Sequence, residues 1–305
     1  MSDAAPETAV AAETVAAPSE SSDAEPRFKQ DPTITEDEAA VMKEVLSNVT
    51  EDDAKYLQNV LTNPSRLVKY VRARKLDAKK AVAMLHATAK FRRKKNHSDL
   101  MTRFKPNKDF ETVLLFPVHY LRDRDGGLIL YHRTGHFCGS YFCKYYSVDY
   151  LIDLVAYCLE ILTNDAMRHM EKTGAAPYIT FVLDLTGYGS HVLGPMGTTQ
   201  TLINVFQNHF PETMKRAIIL NAPWIFRAVW TVVQAFLDPV VKGKIKMLGS
   251  KGTLLAIQEF VDDDQIPVWL GGTYQHGDDE FSSSVIAAGG MPPKPDLPSG
   301  QHHIE

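Results

Sequence analysis

The chain is poor in cysteine. Its 305 residues contain three, Cys138, Cys143 and Cys158, too few for a disulfide framework, so a reducing environment is expected. Residues 1–26 hold no lysine, arginine or aromatic residue, but six acids and eight alanines. Such a segment lacks the basic and apolar regions of a secretory signal and the basic character of a mitochondrial presequence, and reads as a disordered acidic tail. No long uninterrupted apolar run occurs. Residues 217–237 come nearest, and Asn221, Pro223, Arg227 and Gln234 interrupt them, which makes a poor transmembrane span. The rest, 44% hydrophobic and 23% charged, is ordinary globular composition without an internal repeat.

Charge is unevenly placed. The net charge is −4, yet residues 66–108 hold fifteen Lys or Arg against Asp77 and Asp99 alone, a local excess that predicts an anionic partner. Nucleic acid is one candidate, but the run carries no helix-turn-helix, zinc module or aromatic-glycine RNA motif. An anionic membrane surface accounts for the same charge at about 1 kcal/mol per well-placed base.

The pattern divides the chain into a tail (1–32), a helical subdomain with its linker (33–108), an α/β domain (109–275) and a loose C-terminal extension (276–305). Thr35 and Glu38 have capping-box spacing, Asn63-Pro64-Ser65 breaks and restarts a helix, and Asp77 caps another. Beyond residue 110, short strand-like runs at 128–131, 179–185 and 217–220 alternate with helical spacing at 149–163 and 198–210. Such alternation predicts a mostly parallel sheet with helical crossovers. Residues 224–237 read as one further helix, apolar nearly all round, which belongs to a core or covers an apolar cavity.

Two constellations invite chemistry and fit it poorly. Gly187-Tyr188-Gly189-Ser190-His191 has its glycines and serine in the wrong order for a nucleophile elbow, and Gly194 falls two residues late for a dinucleotide loop. It reads as a strand-end loop. His132, His136, Cys138 and Cys143 match no zinc spacing and read as pocket lining or half-buried loop side chains.

Several segments together carry a family resemblance. "LVKYVRARKLDAKKAVAMLHATAKFRRKK", "ITFVLDLTG" and "FQNHFPETMKRAIILNAPWIFRAVWTVVQAFLDPVVKGKI", closed by Leu270-Gly271-Gly272, resemble a CRAL-TRIO lipid-binding protein of the fungal-type phosphatidylinositol transfer branch, over roughly residues 35–275. The resemblance implies an α/β fold enclosing an apolar lipid cavity behind a helical subdomain. It also implies a non-enzymatic function, the binding and exchange of phosphatidylinositol between membranes, with the lipid presented to a lipid kinase as a variant of that role. No cofactor beyond the bound phospholipid is implied. The expected state is a cytoplasmic monomer, peripherally associated with intracellular membranes and binding no nucleic acid.

Carried over residue by residue, the resemblance assigns the inositol headgroup to Arg74, Lys75, Glu212 and Lys244. A planar donor fork and two point charges suit a phosphate, and a carboxylate accepts from hydroxyls. Val241 stands where the family often has a threonine. The resemblance assigns the lipid cavity to Tyr120, Tyr157, Ile179, Phe181, Phe206 and Phe210, and the gate helix to Trp224, Phe226, Trp230, Val233, Phe236 and Leu237. Tyr120 and Tyr157 match the tyrosines that cage choline, but Ile179 and Phe181 replace the family's serine and threonine, so phosphatidylcholine is expected to bind weakly. A carrier of another hydrophobic ligand, such as a sterol, and a membrane scaffold that extracts nothing are the competing expectations.

Overall fold

A computed structural model describes residues 31–105, 121–137, 139–248 and 253–275. Residues 1–30 of the acidic tail and the C-terminal extension lie outside these residues, while Asp31 is buried and accepts from the Thr33 amide and hydroxyl. The described residues begin with four helices, α1 (Glu36–Asn48), α2 (Glu51–Leu61), α3 (Pro64–Ala73) and α4 (Ala78–Lys94), followed by a short α5 (Leu100–Arg103). Their starts follow local chemistry. The Thr35 hydroxyl accepts from the Glu38 amide while the Glu38 carboxylate accepts from the Thr35 amide, a complete capping box. Asn63 caps α3 with Pro64 in its first turn, and Asp77 caps α4. Leu57, Leu67, Val71, Ala81 and Leu85 are fully buried where these helices meet.

The end of α3 is less usual. The Leu76 amide donates to the Val71 carbonyl and the Lys75 amide to the Arg72 carbonyl, a Schellman closure in which glycine is the common residue. Here Lys75 and Leu76 adopt φ of 52° and 64°, a strained conformation for side-chain-bearing residues.

Among the described residues a five-stranded sheet follows in the order β1-β2-β3-β4-β5. Its strands are β1 (Leu121–Arg122), β2 (Leu128–His132), β3 (Ile179–Asp184), β4 (Met214–Leu220) and β5 (Ile245–Met247). Only β1 and β2 are antiparallel; the other pairs are parallel, and each parallel step needs a crossover. These are supplied by α6 (Gly139–Tyr145) with α7 (Val148–Thr173), by α8 (Met196–His209), and by α9 (Phe226–Val233) with α10 (Pro239–Gly243). Alternation along β3 sends Val182 into a core with Tyr131, Ile218 and Ile257, the last on α11 (Thr253–Gln258). Ile179 and Phe181 face the opposite way, toward Leu162 and Ala166 of α7. With both faces covered, the strands are largely apolar, as in Leu128–Tyr131 and Ala217–Leu220.

The structure corrects two expected boundaries. The helix expected at 149–163 runs on to Thr173, where Gly174 closes it at φ 72°. The helix expected at 224–237 is only eight residues long, Phe226–Val233, followed by a 3₁₀ turn, Gln234–Phe236. Trp224 and Ile225 stay outside it because tight bonds from the Phe226 amide to Pro223 and from the Arg227 amide to Trp224 form a turn first. Pro239 follows and starts the separate helix α10. At the closing motif, Gly271 adopts φ 92° and a Cβ on Gly272 would stand 2.1 Å from the Ile266 carbonyl oxygen, so the turn requires glycine.

Candidate functional site

A cavity of about 330 Å³ opens where the end of α3, the C-terminal end of α8, the turn before β4 and the segment from α9 to α10 converge. Its wall includes Arg74, Glu212 and Lys244, three of the four expected headgroup residues, drawn from three separate parts of the chain. Glu212 follows Pro211 in the turn leading to β4 and takes φ 50°. Lys244 caps α10, and its ammonium donates to Glu212 Oε2 at 2.6 Å and to the Met214 carbonyl at 3.2 Å. Among the described residues, the Arg74 guanidinium bonds only the adjacent Ala73 carbonyl, leaving most of its donors open to an anion. The fourth residue, Lys75, is exposed and stands outside the wall. Val241 lines the cavity without a hydroxyl.

The apolar residues divide. Phe206, Phe210, Phe236 and Leu237 lie on the cavity wall. Phe181 stands behind them, with its ring edge-on to Phe206 at 6.3 Å. Ile179 is fully buried against Leu128, Leu130 and Leu162 and does not reach the wall. Tyr157 packs on Phe104, 5.5 Å between centroids, in an aromatic cluster between α5 and α7. Tyr120 lies outside the described residues. In α9, Phe226 is buried on Leu185, Ile219 and Tyr188 with Trp230 stacked beside it, and Val233 is half-buried. Trp224 is 83% exposed, and Ile225 and Val232 are exposed as well.

Sequence reading missed polar residues on the wall: Asn204, Gln207, Asn208 and Asp238. It also missed a second constellation behind the cavity. Glu160 of α7, almost fully buried, meets Arg66 at 2.9 Å, Arg92 at 3.1 Å and His97 at 3.3 Å. Burial pushes the Glu160 carboxyl up, but the His97 bond and the charges of Arg66 and Arg92 outweigh this and hold it well below the usual range. Arg66 also bonds Asn164, and Arg92 bonds Asn59 and the Tyr56 carbonyl, so α3 and α4 are fastened to α7 through Glu160 and α4 is also tied to α2. Nearby, Lys69 donates to the Pro177 carbonyl at 2.9 Å, and burial, with Arg66 adding to it, pushes its ammonium down to about 7.

The basic run is therefore only partly surface charge. Arg66, Lys69 and Arg92 are buried, and Arg72 pairs with Glu38 at 2.7 Å. Arg93 meets Asp52, and Lys95 meets Asp149 and Asp153. Arg74, Lys75, Lys79, Lys90, Lys94 and Lys105 form no ion pair among the described residues. The two chemically suggestive clusters are structural where they can be seen. His191 bonds the Gly135 carbonyl at 2.9 Å, and His132 lies 2.8 Å from the Thr134 hydroxyl. Cys143 packs against Gly194, with burial pushing its thiol up. Cys138 lies outside the described residues.

A mostly parallel sheet with a helical module on one side and a charged cavity at its edge defines an α/β fold with a polar port. Residues 113–272 match the CRAL/TRIO domain, more than half of the chain, and the chain belongs to that family. It is 28% identical over 215 residues to the Anopheles gambiae protein named Protein real-time, covering 68% of this chain and 31% of that relative. It is 25% identical over 220 residues to the Arabidopsis thaliana phosphatidylinositol/phosphatidylcholine transfer protein SFH12, covering 68% and 39%. With the Sec14 cytosolic factor of Schizosaccharomyces pombe it shares 24% over 215 residues, covering 68% and 74%. The chain spans about a third of the length of the first of these relatives. The crystal structure of Sfh5 has the same fold, with a TM-score of 0.54 at 16% identity, covering 82% of this chain and 93% of that one. Among the described residues no helix is long and apolar enough to cross a membrane.

Proposed function

We propose that this protein binds phosphatidylinositol and exchanges it between membranes, as a member of the fungal-type phosphatidylinositol transfer branch and without a covalent step. The observation that carries the reading is the meeting of Arg74, Glu212 and Lys244 on one cavity wall. Arg74 and Lys244 supply donors for a lipid phosphate, and Glu212 supplies an acceptor for ring hydroxyls. Lys244 and Glu212 satisfy each other, and an inositol-lipid headgroup offers each a partner of its own kind. The cavity volume, about 330 Å³, lies at the small end of ligand pockets, roughly 300–1,000 Å³. It suits a headgroup and is too small for two acyl chains, which require the α9–α10 segment to move.

That movement has a physical occasion. Each acyl methylene is held in a bilayer by about 0.8 kcal/mol, so an unaided phospholipid escapes very slowly. A protein that covers the chains makes exchange nearly balanced, provided it opens only against the membrane. The outer face of α9 and the turn before it presents Trp224, Ile225, Ala228 and Val232 to solvent, side chains suited to a membrane interface. Phe181 backs the wall through Phe206 and Ile179 is buried on Leu128 and Leu162, so neither offers a hydroxyl to a phosphate, which favours phosphatidylinositol over phosphatidylcholine. Cytoplasmic residence, peripheral membrane association and a monomeric state follow from this reading.

The test is lipid extraction with native mass spectrometry on protein expressed in a eukaryotic host, followed by vesicle-to-vesicle transfer by Lys244→Glu. Near one-to-one phosphatidylinositol, with transfer lost in a folded variant, supports the reading. Mostly phosphatidylcholine overturns the headgroup preference, unchanged transfer removes Lys244 from the site, and vesicle binding by a lipid-free chain without transfer favours the scaffold.

A further inference from the structure

Gln207 stands on α8 at the cavity wall, yet its amide is turned to the backbone of the segment opposite. Its Nε2 donates to the Phe236 carbonyl at 3.0 Å, and its Oε1 accepts from the Asp238 amide at 2.6 Å. One side chain thus serves a donor and an acceptor two residues apart, as a neighbouring peptide group would. The reverse amide orientation would set donor against donor at Asp238 and acceptor against acceptor at Phe236, so the network fixes it.

The two backbone groups it holds lie at the joint between α9 and α10. Phe236 ends the 3₁₀ turn, and Asp238 caps α10 with its own carboxylate accepting from the Val240 amide. Phe236, Leu237 and Asp238 all line the cavity. Elsewhere the segment is loosely held: Trp224, Ile225 and Val232 are exposed, and Phe226 alone among the residues of α9 is buried.

The post that carries Gln207 is fixed. The Tyr70 hydroxyl donates to the His209 carbonyl at 2.9 Å, and the Thr88 hydroxyl reaches the Asn208 carbonyl at 3.3 Å. The terminal carbonyls of α8, which a helix cannot satisfy itself, are therefore tied to α3 and α4. His209 stacks on Phe91 at 4.1 Å.

We infer that Gln207 is a latch: a positioning residue whose two-point amide bond holds the α9–α10 segment closed over the cavity and sets how fast it opens. This inference builds on the transfer reading for the purpose of the motion, while the two bonds of Gln207 stand independently of it. Opening must release both backbone groups to water. Gln207→Leu removes both bonds at similar volume, whereas Gln207→Glu keeps the acceptor for Asp238 and sets two acceptors against each other at Phe236.

Hydrogen exchange on the full chain without lipid tests it. Gln207→Leu is expected to speed exchange in peptides covering residues 226–243, including the Asp238 amide, by about tenfold for the loss of two ordinary hydrogen bonds. Peptides of β4 should be unchanged, and Gln207→Glu should fall between. If Gln207→Leu does not fold, Gln207→Glu decides alone. Unchanged exchange over 226–243, or equal acceleration in β4, overturns the latch. A second arm follows release of fluorescent phosphatidylinositol and phosphatidylcholine into vesicles. Equal acceleration of both supports a latch, while an effect on phosphatidylinositol alone makes Gln207 a headgroup ligand and overturns it. A wild-type chain that takes up neither lipid would sink the transfer reading, and the exchange arm would still decide the latch.

Discussion

Two glutamates in this fold sit among cations and do opposite things. Glu160 has three partners, Arg66, Arg92 and His97, and its side chain is 2% exposed. Glu212 has one cation, Lys244, in a pair whose side chains are 19% and 23% exposed, with Arg74 on the same wall and largely uncommitted. Around Glu160 the arginines also donate to Asn164, Asn59 and the Tyr56 carbonyl. Both Glu160 oxygens are engaged, and the cluster fastens helix to helix. Around Glu212 the charged side chains stay partly exposed and Arg74 keeps donors without a partner among the described residues, so an incoming phosphate finds partners. Whether a charged cluster is a lock or a port is decided by how completely its groups are satisfied and how dry they are.

The comparison breaks most visibly at the lock. Glu160→Gln leaves two buried guanidiniums without a counter-charge, and removal of one partner from a buried ion cluster costs about 3–5 kcal/mol. Denaturant unfolding of the full chain should show a loss of that size. A loss below about 1 kcal/mol would mean that water reaches the cluster and that the two glutamates do not differ in kind.

Acid separates the same two regions by a smaller amount. His209 lies beside the lock, stacked on Phe91. Burial, with the charges of Arg92 and His97 adding to it, pushes its ring down to about 4 from the ordinary 6.5. The folded state therefore binds fewer protons than the unfolded state between these values, so stability falls as pH drops through about 6.5 and levels off below about 4. At 1.36 kcal/mol per unit the loss is about 3 kcal/mol at most. His209→Gln, which keeps an acceptor near the Thr88 hydroxyl, should flatten the decline in that window relative to wild type. Parallel stability curves for the two proteins would contradict the assignment.

The lock was the part least visible in the sequence. Helix starts at Thr35, Asn63 and Asp77 could be read because each cap and its amide lie within three residues. The parallel sheet could be read because its strands are covered on both faces and its crossovers have helical spacing. The headgroup triad was legible through motif resemblance, since Phe-Pro-Glu and Leu-Asp-Pro are local strings. Residues 66–108, in contrast, read as a basic surface because their acidic partners are remote. Glu160 is 94 residues from Arg66, and Glu38 is 34 residues from Arg72. Gln207 gave no signal at all, for its partners are backbone groups that any residue supplies. The length of α9 was overread because an apolar string records burial or a membrane-facing surface, whereas the tight turns at Pro223 and Gln234 that bound it are set by hydrogen bonds.

The port should show the smallest effect on stability. Glu212→Gln removes one charge from a pair that water already screens, and such pairs contribute about 0–1 kcal/mol. In lipid-free protein the unfolding midpoint should therefore hardly move. With phosphatidylinositol present the two proteins should part, because a ligand that binds only the folded state stabilises it by RT ln(1 + [L]/Kd). The wild type then gains more than the variant, and the difference between the two gains measures what Glu212 contributes to the headgroup. Equal gains would show that the carboxylate only restrains Lys244, and a large loss without lipid would show that Glu212, like Glu160, belongs to the lock.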